Sequence, residues 1–258
     1  VLAKSIPAKK YGVKTGEPVS AALRKCPSLV TAPPDFKLYS DCSAKFMDIC
    51  RAYTPCLEKF SIDECFLDMS GTENIYPDIV AVAYEIKDKI KNELGFTVNV
   101  GIGSNKLLAK MASDFEKPDK VHTLFSYEIE KKMWCLPVSD LLYLGRATAQ
   151  KLEKISIKTI GELAAADIAV LRSTVGTKAG EQLHNYANGI DDSPVSDTPR
   201  EVKSYGHSVT VEENVSDFKT ANSLLLALTD AAASRMRAGG CRAYNISVNI
   251  RFYEGWDE

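Results

Sequence analysis

Glu58-Lys59-Phe60-Ser61-Ile62-Asp63-Glu64-Cys65-Phe66-Leu67-Asp68-Met69-Ser70-Gly71 decides how the rest of the chain is read. A β-prone run carries two adjacent carboxylates at its middle. Phe60, Ile62, Cys65, Phe66, Leu67 and Met69 want burial, and a carboxylate pair among them repels and desolvates at a cost unless a cation neutralises it. A divalent metal is the natural solution. Mg²⁺ takes one or two protein carboxylates, keeps some waters and fills its remaining positions with substrate phosphates. Successive side chains of a regular strand face opposite ways, so Asp63 and Glu64 reach one ion only where the strand breaks. Residues 58–62 and 65–70 are therefore expected as two arms of a hairpin or bulged strand, with Asp63-Glu64 at the bend. An ordinary acidic turn between two strands would read the same way, and at this level both stay open.

Around that stretch, 258 residues with 45% hydrophobic content suit one large domain or two to three small ones with a sizeable core. No apolar run approaches a membrane span and no secretory signal stands at Val1, which reads as a cytoplasmic protein without a membrane partner. Seven cysteines without a C-x-x-C pair argue against a disulfide framework and a zinc site. Three histidines, far apart, leave little for a Ser-His-Asp triad. The net charge of −2 is unevenly spread: residues 1–34 carry six basic groups against Glu17, so that segment is +5 and the remainder −7. Any polyanion contact must be local.

Residues 1–3 read as a strand end, Pro18 to Lys25 as a short helix, and 29–31 as a strand. A helix is expected over 35–53 with Phe36, Tyr39, Ala44, Phe46, Met47 and Cys50 inward. Pro77 opens a helix to Leu94 whose apolar residues recur at helical spacing, closed by Gly95. Residues 96–100 alternate as a strand, 101–104 turn, and 105–115 form a helix burying Leu107, Leu108, Met111, Ala112 and Phe115. Lys106, Lys110 and Asp114 fall at i, i+4 and i+8 on its other face, where a solvated charge ladder is the bland alternative. Residues 121–125 are expected as a strand, and short helices follow from Trp134. Polar, proline-bearing residues 191–199 read as a linker. Last come a strand at 204–211, a helix at 218–238 with Phe218, Ala221, Leu225, Leu228, Ala232 and Met236 inward, and a strand at 244–252.

Ser61-Ile62-Asp63-Glu64 followed by an aromatic and Leu67-Asp68 resembles the Y-family, or lesion-bypass, DNA polymerases of the UmuC and DinB type. Ala8-Lys9-Lys10-Tyr11-Gly12-Val13-Lys14-Thr15-Gly16 resembles the family's fingers motif. Val100-Gly101-Ile102-Gly103-Ser104-Asn105-Lys106, Ala109-Lys110 and Lys117-Pro118 match in order and spacing. The resemblance covers the chain from Val1 to about Tyr253. It implies an α+β fold: a polymerase palm sheet with helices, small fingers, a helical helix-hairpin-helix thumb and a partial little finger. The corresponding boundaries are 1–35 partial fingers, 36–124 palm, 125–192 thumb, 193–199 linker and 200–258 partial little finger.

The resemblance implies template-directed DNA synthesis past damaged bases by two-metal nucleotidyl transfer, with low fidelity. Two Mg²⁺ ions are the implied cofactors, held by the catalytic carboxylates Asp63 and Glu64. A further ligand is expected upstream of Val1, with Asp68 or Asp114 to be reconsidered if none lies there. Lys9 and Lys117 are the implied nucleotide-binding cations. Residues 142–152 and 157–163 resemble a helix-hairpin-helix, a module that holds DNA phosphates with helix N-terminal amides. Gly145, Arg146, Lys106 and Lys110 are the candidate DNA contacts. Primer-template DNA and dNTP are the implied partners, with a sliding clamp allowed through a segment outside this chain. Three departures stand out: Ile6 replaces the family's tyrosine, Lys9 its arginine, and Tyr143 the hairpin's first glycine. A palm-like nucleotidyl cyclase and a non-catalytic DNA-binding protein derived from a polymerase are the rival readings.

Overall fold

The computed structural model of the chain describes residues 1–198, 201–211 and 213–252. It divides into two units, Val1–Thr198 and Pro199–Glu258. In the first, Ser5 caps α1 (Ile6–Lys10) by accepting from the Ala8 amide, and α2 (Val19–Lys25) starts directly after Pro18. Ala8, Val13, Ala22 and Cys26 close a small core between them. Residues 1–3 form no strand. Val1 instead exchanges hydrogen bonds with the Gly16 amide and the Glu17 carbonyl. The expected strand at 29–31 is also absent, with Val30 exposed and outside any ladder.

Asp35 caps α3 (Phe36–Arg51) by accepting from the Leu38 amide at 2.9 Å. Phe46, Met47, Ile49 and Cys50 are buried, but Phe36, Tyr39 and Ala44, expected inward, are exposed. The core beneath receives only the helix's last turns, and Phe36 and Tyr39 meet each other edge-on instead. β1 (Leu57–Lys59) and β2 (Cys65–Leu67) pair antiparallel, Leu57 opposite Leu67 and Lys59 opposite Cys65. Asp78 caps α4 (Ile79–Leu94) by accepting from the Val80 and Ala81 amides, and Gly95, at φ 77°, closes it in the left-handed conformation that glycine adopts freely. Val82, Ile86 and Ile90 of α4 pack with Phe46, Met47 and Leu57 in one core.

β3 (Val100–Gly103), α5 (Lys106–Asp114) and β4 (Val121–Leu124) form a parallel strand pair around a helix, with Val100 opposite Val121 and Gly103 opposite Leu124. The strand expected at 96–100 thus lies at 100–103, on the glycines assigned to a turn. These glycines let α5 settle on the strand. A Cβ on Gly101 would overlap the Ala109 carbonyl and the Ser113 amide, and one on Gly103 would stand 2.6 Å from the Ala109 nitrogen. The two strand pairs are separate ladders among the described residues.

Helices α6 (Ile129–Lys132), α7 (Arg146–Lys154), α8 (Ile160–Ala164), α9 (Ile168–Val175) and α10 (Thr177–Ala187) follow. Their core includes Leu152, Ile160, Leu163 and Leu171, and it is continuous with Leu107, Leu108 and Met111 of α5. Each leucine so buried contributes about 2 kcal/mol relative to exposure. The segment after α10 is tied down at three points. Asn105 donates to the Gly189 carbonyl at 2.8 Å, Cys56 to the Val195 carbonyl at 3.5 Å, and the Ser196 amide to Glu58 Oε2 at 3.1 Å.

The second unit has one helix among its described residues, α11 (Phe218–Ala238), capped by Asp217, which accepts from the Thr220 amide at 2.8 Å. None of its side chains is buried: Leu228, Ala232 and Met236 are half-buried, while Phe218, Ala221 and Leu225 are exposed. The strands expected at 204–211 and 244–252 belong to no ladder, and Ile246 is 88% exposed. Alternation marks a face that a strand would use, but a strand exists only through pairing. Residues 199, 200, 212 and 253–258 of the expected linker and little finger lie outside the described residues. Among the described residues no helix is long and apolar enough to cross a membrane.

Candidate active site

The hairpin turn is closed by the Phe60 and Ser61 amides, which both donate to the Glu64 carbonyl at 3.0 and 3.1 Å. Phe60 and Phe66 pack edge-on across it with ring centroids 5.4 Å apart. Asp63 therefore stands exposed at the tip, where Oδ1 accepts from the Ser61 hydroxyl at 2.7 Å. Glu64, one residue later, enters β2 half-buried. Its Oε1 accepts from Lys110 at 2.7 Å.

That contact opens a chain of charges along α5. Lys110 also reaches Asp114 at 3.0 Å, and Asp114 accepts from Lys117 at 2.6 Å. One turn earlier Lys106 donates to Glu58 Oε2 at 2.8 Å and lies 5.7 Å from the centre of the Phe66 ring. The outer face of α5 is thus neither the free ladder nor an open cationic stripe, since two of its lysines are committed to the hairpin. Burial opposes the Lys110 charge, yet its hydrogen bonds to Glu64 and Asp114 outweigh this and hold the ammonium above the usual lysine range. Burial likewise pushes the Asp114 carboxyl up, and Lys117 and Lys110 together pull it below its ordinary value.

Lys117 follows α5 in a cis Lys117-Pro118 step, and the next residue, Asp119, has φ 63°. Asp119 is gripped by Lys87 at 2.9 Å and Lys91 at 2.7 Å, both from α4. Lys87 is buried on the apolar side of α4, a position that marks a charge with a fixed partner. Sequence spacing shows none of these partners: Glu58 lies 48 residues from Lys106, and Asp119 lies 32 from Lys87. The one available signal was a charged residue at an inward position, at Glu58 and at Lys87.

The other candidates sit elsewhere. Lys9 is exposed on α1, and no hydrogen bond or ion pair among the described residues joins it to the Glu64 cluster. Gly145 is the N-cap of α7, with Arg146 at its first position, both exposed. Tyr143 just before them has φ 64°, so the turn keeps the left-handed backbone that suits glycine although the residue is a tyrosine. Asp68 accepts from the Ser70 amide at 2.9 Å, and the Ser70 hydroxyl and amide together hold its carboxyl low.

The donor set at the tip is hard oxygen, which fits Mg²⁺ with one or two carboxylates and water. Among the described residues, no group of three or more His, Cys, Asp or Glu side chains is placed to hold a metal ion.

Residues 1–114 match the impB/mucB/samB family, and 202–255 match the C-terminal domain of the same family. Residues 140–191 match the thumb domain of DNA polymerase-iota. The chain belongs to the impB/mucB/samB family of Y-family polymerases. It is 44% identical over 255 residues to DNA polymerase IV of Clostridium acetobutylicum, covering 97% of this chain and 63% of that protein. It is 40% identical to DNA polymerase IV of Clostridium kluyveri, covering 98% and 63%. The chain thus spans under two thirds of the length of these relatives. Among solved structures, a Y-family DNA polymerase chimera superposes with a TM-score of 0.79 at 26% identity, over 88% of this chain and 66% of the other. DinB from Sulfolobus solfataricus gives 0.68 at 25%, over 88% and 67%. The α+β Y-family fold expected from the motifs is the fold of this chain.

Proposed function

We propose that the protein carrying this chain is a DNA-directed DNA polymerase that copies past damaged bases by two-metal nucleotidyl transfer. The observation that carries the reading is the hairpin tip, where Asp63 is exposed and Glu64 is anchored to α5 by Lys110 at 2.7 Å. A carboxylate pair so presented suits Mg²⁺, which when bound would activate a primer 3′-hydroxyl and neutralise charge developing on the phosphates. Asp63 and Glu64 would hold the metal. Lys117 and Lys9 would bind the triphosphate of an incoming dNTP. Gly145 and Arg146 would hold the template-primer backbone through the start of α7. Lys106 and Lys110, being paired with Glu58 and Glu64, serve the hairpin's position rather than DNA directly. The relatives' name, DNA polymerase IV, and the solved insertion ternary complex of Dbh DNA polymerase support this assignment. On this reading residues 1–35 would form partial fingers, 36–124 the palm, 125–192 the thumb, 193–199 a linker and 200–258 a partial little finger. A sliding clamp would be met by a segment outside this chain.

A non-catalytic DNA-binding role is the second reading. It is favoured by Ile6, 63% exposed where a hydrogen-bonding tyrosine is expected. Primer extension with Mg²⁺ and a templated dNTP separates the two. The polymerase reading expects extension that Asp63→Ala abolishes while DNA affinity stays within about twofold. Binding without turnover by the full-length protein favours the second.

A further inference from the structure

Asp114 sits between two groups that the proposed reaction uses separately. Its carboxylate takes the Lys117 ammonium at 2.6 Å and the Lys110 ammonium at 3.0 Å, and Lys110 in turn holds Glu64 at 2.7 Å. We infer that Asp114 is a positioning residue that sets where the Lys117 ammonium meets an incoming triphosphate relative to the Glu64 carboxylate. This rests on reading Lys117 as the triphosphate lysine.

Three features support the assignment. A lysine ammonium has three donors, so Lys117 held by Asp114 keeps two for a phosphate. The base of the Lys117 side chain is fixed as well, because Asp119, two residues on, is held by Lys87 and Lys91. Asp114 itself is set on the last turn of α5, one helical turn from Lys110, so its position follows the helix rather than a loop. Both head and base of Lys117 are therefore placed.

Two consequences of removing Asp114 oppose each other. Losing a negative charge near the site favours an anion, whereas losing the anchor frees the torsions of a flexible four-carbon stem. Asp114 and Lys117 side chains are 45% and 56% exposed, so water and salt screen the charge effect. Solvent weakens the anchoring pair in the same way, and losing the orientation of the ammonium is expected to outweigh losing the repulsion, so that triphosphate binding weakens.

The experiment is a double-mutant cycle on the full-length protein with Asp114→Asn, Lys117→Ala and both together. Inorganic tripolyphosphate in the presence of EDTA is the metal-free probe, followed by calorimetry. Single-nucleotide primer extension with Mg²⁺ gives KM and kcat in parallel. Asp114→Asn is expected to weaken tripolyphosphate binding and raise the dNTP KM about fivefold, with kcat changed less than twofold. In the Lys117→Ala background the same substitution is expected to change neither by more than about twofold. Equal losses in both backgrounds, or no loss in either, overturn the assignment. Asp114→Ser replaces the Asn variant if that one fails to fold. A non-additive cycle on tripolyphosphate without any primer extension leaves Asp114 as the positioner and removes the polymerase reading. Extension with an additive cycle does the reverse.

Discussion

The Lys110 ammonium stands 2.7 Å from the Glu64 carboxylate and ties the tip of one hairpin to a helix 46 residues further along the chain. The lysine side chain is only 14% exposed, so what it neutralises matters for folding as well as for chemistry. Without it, Glu64 would lose the ammonium it accepts from, and Asp114 would be left with Lys117 alone.

Replacing Lys110 by Met keeps the stem and removes the charge. Removing one partner of a fully buried ion pair costs about 3–5 kcal/mol. Glu64 and Asp114 are 36% and 45% exposed, so solvent recovers much of that and about 1–2 kcal/mol is expected. The pH dependence follows from both partners. The Asp114 carboxyl is held below its ordinary 3.8, so its share of the stability is complete above 3.8 and disappears as pH falls below it. The Lys110 ammonium is held above its ordinary 10.5, so its share is complete below 10.5 and disappears as pH rises past it. Urea unfolding of the wild type and Lys110→Met across pH should give a difference that is flat between these limits and closes at both ends. A difference that changes near neutrality would contradict it.

Gly101→Ala tests the contact that brings α5 onto β3. The new methyl would meet the backbone of Ala109 and Ser113, which cannot rotate away as a side chain could. Overpacking of this kind costs about 1–3 kcal/mol and more where backbone must move. A loss of about 3 kcal/mol is expected in denaturant unfolding. The same substitution at Gly145, which has open space around its missing Cβ, should cost less than about 1 kcal/mol.

Tyr143 offers a third test. Its φ of 64° carries a left-handed penalty of about 1–2 kcal/mol for a non-glycine residue. Tyr143→Gly removes that penalty but loosens the unfolded chain and loses the ring's contact with Tyr186, 6.1 Å between centroids. The two effects should leave thermal stability within about 1 kcal/mol. A β-branched residue fits this conformation worst, and Tyr143→Val should lower stability by about 1–2 kcal/mol.

How much of this was legible in the sequence depended on how local its cause was. The helices at 79–94 and 106–114 follow from apolar spacing, an Asp or Asn cap and, for the first, a closing glycine, all within one segment. The hairpin could be placed because two carboxylates amid apolar residues require a bend. The strand at 100–103 was misplaced because glycines signal turns locally, whereas Gly101 and Gly103 answer to α5 pressing from outside the strand. Phe36 and Tyr39 match the helical period of α3, but the core they would need begins further along that helix. The ion pairs that build the site, Glu58 with Lys106 and Asp119 with Lys87, join segments tens of residues apart, and no periodicity encodes which lysine meets which carboxylate.

The two faces of α5 have a mechanical consequence. Nine residues of α-helix make a stiff rod about 13 Å long. Leu107, Leu108 and Met111 embed one side of that rod among the helices that follow it, while Lys106 and Lys110 clasp the hairpin from the other. A rigid-body swing of those helices that keeps their packing intact carries the rod only together with β3, on whose glycines it rests, and takes the carboxylate at Glu64 with them. The hairpin tip is thereby geared to the motion of a body to which it is not adjacent in sequence.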